Sequence, residues 1–142
     1  MNRGFNVISV PSPKLRAKSR PVEKEEFGEA LEQHMNNMLI KMFELNGVGL
    51  SGVQIGDNRR ILVADSGVTT IKMVNPEVLE ESEEKVVYKE GCLSIPGFAA
   101  EVERSRYIRI KYQTPLGEEV EGTLSDISAV IVQHEIDHLN GK

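Results

Sequence analysis

His134 and His138 stand four residues apart near the end of the chain. If that stretch is helical, four residues make about one turn and put both imidazoles on one face. There they can grip one metal ion, with Glu135 beside them as a base for a metal-activated water. The plainer alternative is a helix that ends in polar residues, with Gly141 as its stop. A catalytic zinc-type site needs about three protein ligands and one open position for water. Only Leu139, Asn140, Gly141 and Lys142 follow His138, so the third ligand has to come from upstream. Cys92, the single cysteine, is the favoured candidate. Its alternative is a buried, inert thiol.

Gln54 is the next residue of interest. It lies in a glycine-rich, apolar stretch over residues 47–56. Glycines there let the backbone adopt positive φ and let another chain or a ligand come close. The stretch is not a phosphate loop, because no Lys-Ser/Thr follows it and no strand leads in. A lone amide among aliphatics needs partners when buried. Gln54 is therefore either a structural bridge or a donor aimed at a substrate, and the residue types leave both open. His34 has no ligand pattern around it and reads as an ordinary surface or edge histidine.

The elements that must position these residues follow from periodicity. Phe27, Leu31, Met35, Met38, Leu39, Met42 and Phe43 recur at three- and four-residue steps, which predicts a helix over 23–46 stopped by Asn46-Gly47. Residues 60–65 and 70–75 flank Asp65-Ser66-Gly67 as a hairpin, and Asn75-Pro76 reads as a turn. An exposed charged connection then leads into a strand near 86–88. Gly91 and Pro96-Gly97 bracket Cys92 in a sharply shaped segment. Alternation over 101–112 predicts one half-buried strand, turned by residues 114–117 and returned by 118–124. Ser125 is the N-cap expected for the last helix. On that helix Ile127, Val130, Ile131, His134 and His138 share a face, so apolar residues run up to the candidate metal site.

Composition limits the classes open to the chain. With 142 residues, 39% of them hydrophobic and 27% charged, it suits one globular domain, 1–142. A net charge of −5 argues against a general or sequence-specific nucleic-acid binder. The basic cluster Lys14, Arg16, Lys18 and Arg20 reads as a solvated face. No apolar run approaches a membrane span and no signal-peptide core opens the chain, so no membrane is expected as a partner. One cysteine leaves no intrachain disulfide, and the chain reads as intracellular.

Three stretches taken together resemble the three motifs of peptide deformylase. They are Gly47-Val48-Gly49-Leu50-Ser51-Gly52-Val53-Gln54, Glu90-Gly91-Cys92-Leu93-Ser94 and His134-Glu135-Ile136-Asp137-His138. The likeness extends to the Pro-Ser-Pro-Lys-Leu-Arg run at 11–16, to Asn75-Pro76 and to residues 101–104. It implies removal of the N-formyl group from the initiator methionine of nascent chains, with release of formate. Cys92, His134 and His138 would hold one divalent metal ion, Fe²⁺ in the cell, with Zn²⁺, Ni²⁺ or Co²⁺ able to take its place. Glu135 would move the proton of the bound water to the leaving amine. The Gln54 amide and the Leu93 backbone N–H would meet the oxyanion. Val48, Gly49, Leu50, Gly91, Ile127, Val130 and Ile131 would bind the substrate, and Glu90 would pair with Arg104.

Departures from the family pattern also carry expectations. Ser51-Gly52 stands where two alanines are usual, and Phe98-Ala99-Ala100 where many members carry an arginine near 99. The chain stops four residues past His138, so ribosome association is not expected through the usual C-terminal extension. A naturally compact form, including one from a bacterial virus, and a shortened chain would fit equally. The expected partners are N-formylmethionyl peptides and nascent chains, the expected state a monomer, and the expected location the cytoplasm. The expected fold is α+β: antiparallel strands around a C-terminal metal-binding helix, with a long N-terminal helix packed on the sheet. A metallopeptidase shares the two histidines and the glutamate, but it usually finds its third ligand downstream. A purely structural metal site needs neither Glu135 nor Gln54.

Overall fold

The computed structural model describes residues 18–92 and 95–142, with 88–101 described by their backbone alone. The Pro-Ser-Pro-Lys-Leu-Arg run at 11–16, with its basic residues Lys14 and Arg16, lies outside them, as does Leu93.

The first long helix is shorter than its apolar period predicts. A 3₁₀ turn, Lys24–Glu26, comes first, and α1 runs Glu29–Glu44. Between them Gly28 takes φ 139°, a value open to glycine and resisted by other residues, and this splits the expected 23–46 helix. Leu31, Met35, Met38 and Met42 form the buried stripe, whereas Phe43 points outward. Asn46, at φ 56°, ends the helix as expected: Gly47 N–H donates to Met42 O and Asn46 N–H to Phe43 O. This is the Schellman pattern, in which a left-handed residue satisfies the last carbonyls.

Seven strands follow: β1 (Gly49–Ser51), β2 (Ile61–Asp65), β3 (Thr70–Glu81), β4 (Lys85–Cys92), β5 (Ile95–Ser105), β6 (Tyr107–Gln113) and β7 (Glu119–Ser125). The last element is α2, Asp126–Leu139. The strands pair antiparallel in one five-stranded sheet, ordered β1-β2-β3-β6-β7, and in a separate β4-β5 ribbon. The architecture is α+β, with both helices laid on the sheet.

Alternation within β2 explains the layering. Ile61 and Val63 join Leu31, Met35, Met38 and Met42 beneath α1. Leu62 and Ala64 turn the other way and join Ala129, Ile131, Val132, Ile136 and Leu139 of α2. A strand covered on both faces has no use for polar residues, hence the unbroken Ile61-Leu62-Val63-Ala64 run. α1 and α2 therefore sandwich the same end of the sheet.

Two expected boundaries differ. Asn75-Pro76 is no turn but an irregularity inside β3, where the pairing with β6 shifts register between Val74 and Glu77. Asn75 takes φ 51° and uses its side chain as a bridge: Oδ1 accepts from Val22 N–H, while Nδ2 donates to Val22 O and Gln113 Oε1. Proline removes a ladder donor, and a bulge tolerates that as well as a turn does. The expected strand 101–112 is two strands. At Arg106 the chain leaves the ribbon for the large sheet, and Arg106 N–H donates to Glu84 O. The alternating pattern continues across the switch, so nothing in the periodicity marks it.

Candidate active site on the C-terminal helix

β7 runs into α2 without a linker. Ser125 is the N-cap, as expected, and Asp126 makes the reversal at φ 55° while its N–H donates to Arg106 O. The helix then delivers His134 and His138 one turn apart. Their Nε2 atoms converge to 3.2 Å, with the rings nearly perpendicular at 80°. Two nitrogens bound at about 2.0–2.1 Å to one tetrahedral ion would lie roughly 3.3–3.4 Å apart, so the pair fits a shared metal. Burial, with His134 beside it, pushes the His138 imidazole down to about 4 against the pull of Asp137. It is therefore neutral at physiological pH, the form that ligates a metal. Among the described residues no third metal-ligating side chain completes a cluster. Cys92 ends β4 at a register shift, opposite Ile95, and its side chain lies outside the description.

Glu135 is buried, with Oε2 4.0 Å from His134 Nε2. Its other neighbour is the backbone of β1. A Cβ on Gly49 would lie 2.6 Å from Glu135 Oε2, so Gly49 is the residue that leaves the carboxylate its place. Gln54 sits in a 3₁₀ helix, Gly52–Ile55, directly after β1 and packed near α2. It is buried, and its Oε1 accepts from both the N–H and the hydroxyl of Ser51, each at 3.1 Å. The glycine-rich stretch is thus an ordered edge strand and helical turn rather than a loose connector.

The expected substrate-binding residues are distributed over different environments. Val48 and Ile127 are exposed; Val130 is buried on α2. Leu50 is fully buried in the core under α1, and Ile131 in the core under α2. Gly91 pairs with Ala99 across the ribbon, one residue before Cys92.

The ribbon that carries Cys92 is clamped to α2 by Arg104, expected to pair with Glu90, and by Gln133, which motif reading passed over. Arg104 of β5 makes a close ion pair with Asp137, the residue before His138. Gln133 acts as a substitute strand, accepting from Ser105 N–H at 3.1 Å and donating to Ser105 O at 2.8 Å. The expected partner of Arg104, Glu90, has its side chain outside the described residues. Gln133, beside His134 on a largely apolar helix, was the available signal for the second contact. A cavity of about 540 Å³ lined by Arg60, Glu77, Glu81, Lys85, Glu103 and Gln133 opens on another face of α2 and takes in none of the expected site residues. His34 does more than its sequence setting suggests: its Nε2 lies 2.9 Å from Asp57 Oδ2, just past the Gln54 turn.

This α+β arrangement recurs in solved structures. The peptide deformylase of Thermotoga maritima superposes with a TM-score of 0.93 at 41% identity, covering 96% of this chain and 92% of its own. That of Acinetobacter baumannii, solved with Met-Ala-Ser bound, gives 0.93 at 35% identity, covering 99% and 96%. In sequence, the peptide deformylase of Bartonella tribocorum is 42% identical over 96% of this chain and 80% of its own length. The polypeptide deformylase family model matches residues 5–142.

The chain belongs to the polypeptide deformylase family. Its activity is that of an amide hydrolase that removes the N-formyl group from nascent polypeptides, and the family is metal-dependent.

Proposed function

We infer that this chain hydrolyses the formamide of N-formylmethionyl peptides at a mononuclear site held by Cys92, His134 and His138. The observation that carries the assignment is the 3.2 Å convergence of the two histidine Nε2 atoms next to a buried carboxylate. A divalent ion bound there supplies Lewis acidity toward the formyl oxygen and acidifies water. Glu135 takes the proton of the attacking water and hands it to the peptide nitrogen as the C–N bond breaks. Formate and a free methionine amine result. Gln54 Nε2–H and the Leu93 backbone N–H donate to the oxygen on which charge develops.

Val48, Ile127 and Val130 offer the apolar surface for the methionine side chain, with Leu50 and Ile131 backing it from the two cores. Gly49, whose missing side chain makes room for Glu135, and Gly91 would meet the peptide through their backbones. The Met-Ala-Ser ligand of the Acinetobacter baumannii protein has the chemistry of a deformylated product and supports this reading. Two imidazoles and a thiolate do not decide among Fe²⁺, Zn²⁺, Ni²⁺ and Co²⁺; we assign Fe²⁺ in the cell on the family resemblance. Formylated chain ends arise at the ribosome, so we place the activity in the cytoplasm, in a monomer with one domain over 1–142.

Metal content tests the ligand set. The parent and Glu135→Ala should each hold one equivalent, while Cys92→Ala, His134→Ala and His138→Ala should each lose it. Full occupancy after removal of any one of the three would overturn the assignment.

A further inference from the structure

An amide side chain donates to an oxyanion only if its NH₂ end faces the substrate. The two ends of a carboxamide are nearly equal in size, and hydrogen bonding alone tells them apart. In this chain Ser51 makes that distinction twice. Its backbone N–H and its hydroxyl both lie 3.1 Å from the same atom, Gln54 Oε1. A backbone N–H can only donate, so the atom facing it must be the carbonyl oxygen, and Nε2 points the other way. Both residues are almost wholly buried, at 0% and 1% exposure, so water does not compete for the bond. They also form a reciprocal capping box around the first turn of the 3₁₀ helix, which ties the Gln54 backbone to the same serine.

We propose that the Ser51 hydroxyl is a positioning element for catalysis, locking the Gln54 amide with its NH₂ end turned away from Ser51 and toward the developing oxyanion. An alanine here would keep the backbone donor and lose the second one. The hydroxyl therefore narrows the rotation of an amide that the backbone already orients. A narrower amide meets the transition state with less reorganisation and leaves ground-state binding unchanged. The effect belongs in kcat. The inference rests on the assignment of Gln54 as an oxyanion donor.

The test is a double-mutant cycle on metal-loaded protein with a formyl-methionyl tripeptide, with thermal unfolding recorded for every variant. Ser51→Ala should lower kcat about three- to tenfold, the worth of one buried hydrogen bond, with KM unchanged. Ser51→Gly, which lacks the same hydroxyl, should show a loss in kcat as well. Gln54→Ala should lower kcat about a hundredfold or more, and adding Ser51→Ala to it should cost nothing further. A parental kcat in Ser51→Ala beside a collapsed Gln54→Ala would overturn the positioning role alone. An undiminished Ser51 effect in the Gln54→Ala background would do the same, because the hydroxyl would then act on the fold. A parental rate in Gln54→Ala would remove the oxyanion assignment and this inference together.

Discussion

Gly49 leaves the Glu135 carboxylate its place, and under the proposed mechanism that makes the glycine part of the proton-transfer machinery. Its φ is not among the positive values, so alanine would fit the backbone there. The clash is with the carboxylate, 2.6 Å from where the methyl would sit. Gly49→Ala should therefore fold with little loss in melting temperature while kcat drops roughly a hundredfold, since a misplacement of about 1 Å costs on that order. Parallel melting and steady-state assays check it: equal losses of stability and rate would contradict the local account. The juxtaposition of His134 and His138 was legible in the sequence because helical spacing alone brings them together. The use of Gly49 was not, because it depends on which strand the helix packs against. Ser51 read as a departure from the usual alanine, and a hydroxyl does not announce its partner.

Among the elements, α2 packs on the five-stranded sheet while Cys92 lies in the separate β4-β5 ribbon, and side-chain contacts tie the two together. The Arg104–Asp137 ion pair and the Gln133–Ser105 bridge join them. Arg104→Ala should loosen the ribbon and weaken metal binding about ten- to a hundredfold, the usual effect of residues that orient ligands. Metal affinity measured by chelator competition reads this directly, and an unchanged affinity would show that the ribbon is held by other means. The β2-β3 and β6-β7 hairpins were legible from their turn residues, whereas the pairing of β4 with β5 was not. The break at Arg106 was not, because alternation runs through it and the chain changes sheet without glycine or proline. Gly28 delayed the start of the predicted helix for a related reason: apolar spacing persists across a backbone kink that only φ reveals.

Across the whole molecule, two cores on opposite faces of β2 hold α1 and α2 against one end of the sheet, with the site at the edge formed by β1. Side chains distant in sequence lock that arrangement. Arg60 donates to Leu139 O and to Asn140 Oδ1, fastening the end of the metal helix. Asp57 ties α1 to the segment after Gln54. Burial opposes its ionisation, yet hydrogen bonds from His34 and Arg59 outweigh that and hold the carboxyl well below the ordinary range. A depressed carboxyl contributes stability that is complete above the unfolded value near pH 4 and is lost as the pH falls below it. Asp57→Asn should therefore lower stability at neutral pH and flatten its decline below about pH 4. Denaturant titrations across pH test this, and parallel curves for parent and variant would contradict it. The α+β class, the two helices and the β2-β3 and β6-β7 hairpins could be read from the chain. The layering around β2 could be inferred only in part, since an unbroken apolar run does not say which helix covers which face.

Under the proposed mechanism Glu135 moves the proton at a metal held by Cys92, His134 and His138. Formate release from a formyl-methionyl tripeptide, by anaerobically prepared and metal-loaded protein, tests it most directly with Glu135→Ala assayed alongside. The account predicts turnover by the parent and a loss of at least about a hundredfold in the variant with its metal retained. Comparable formate release by both proteins at equal metal content would contradict it.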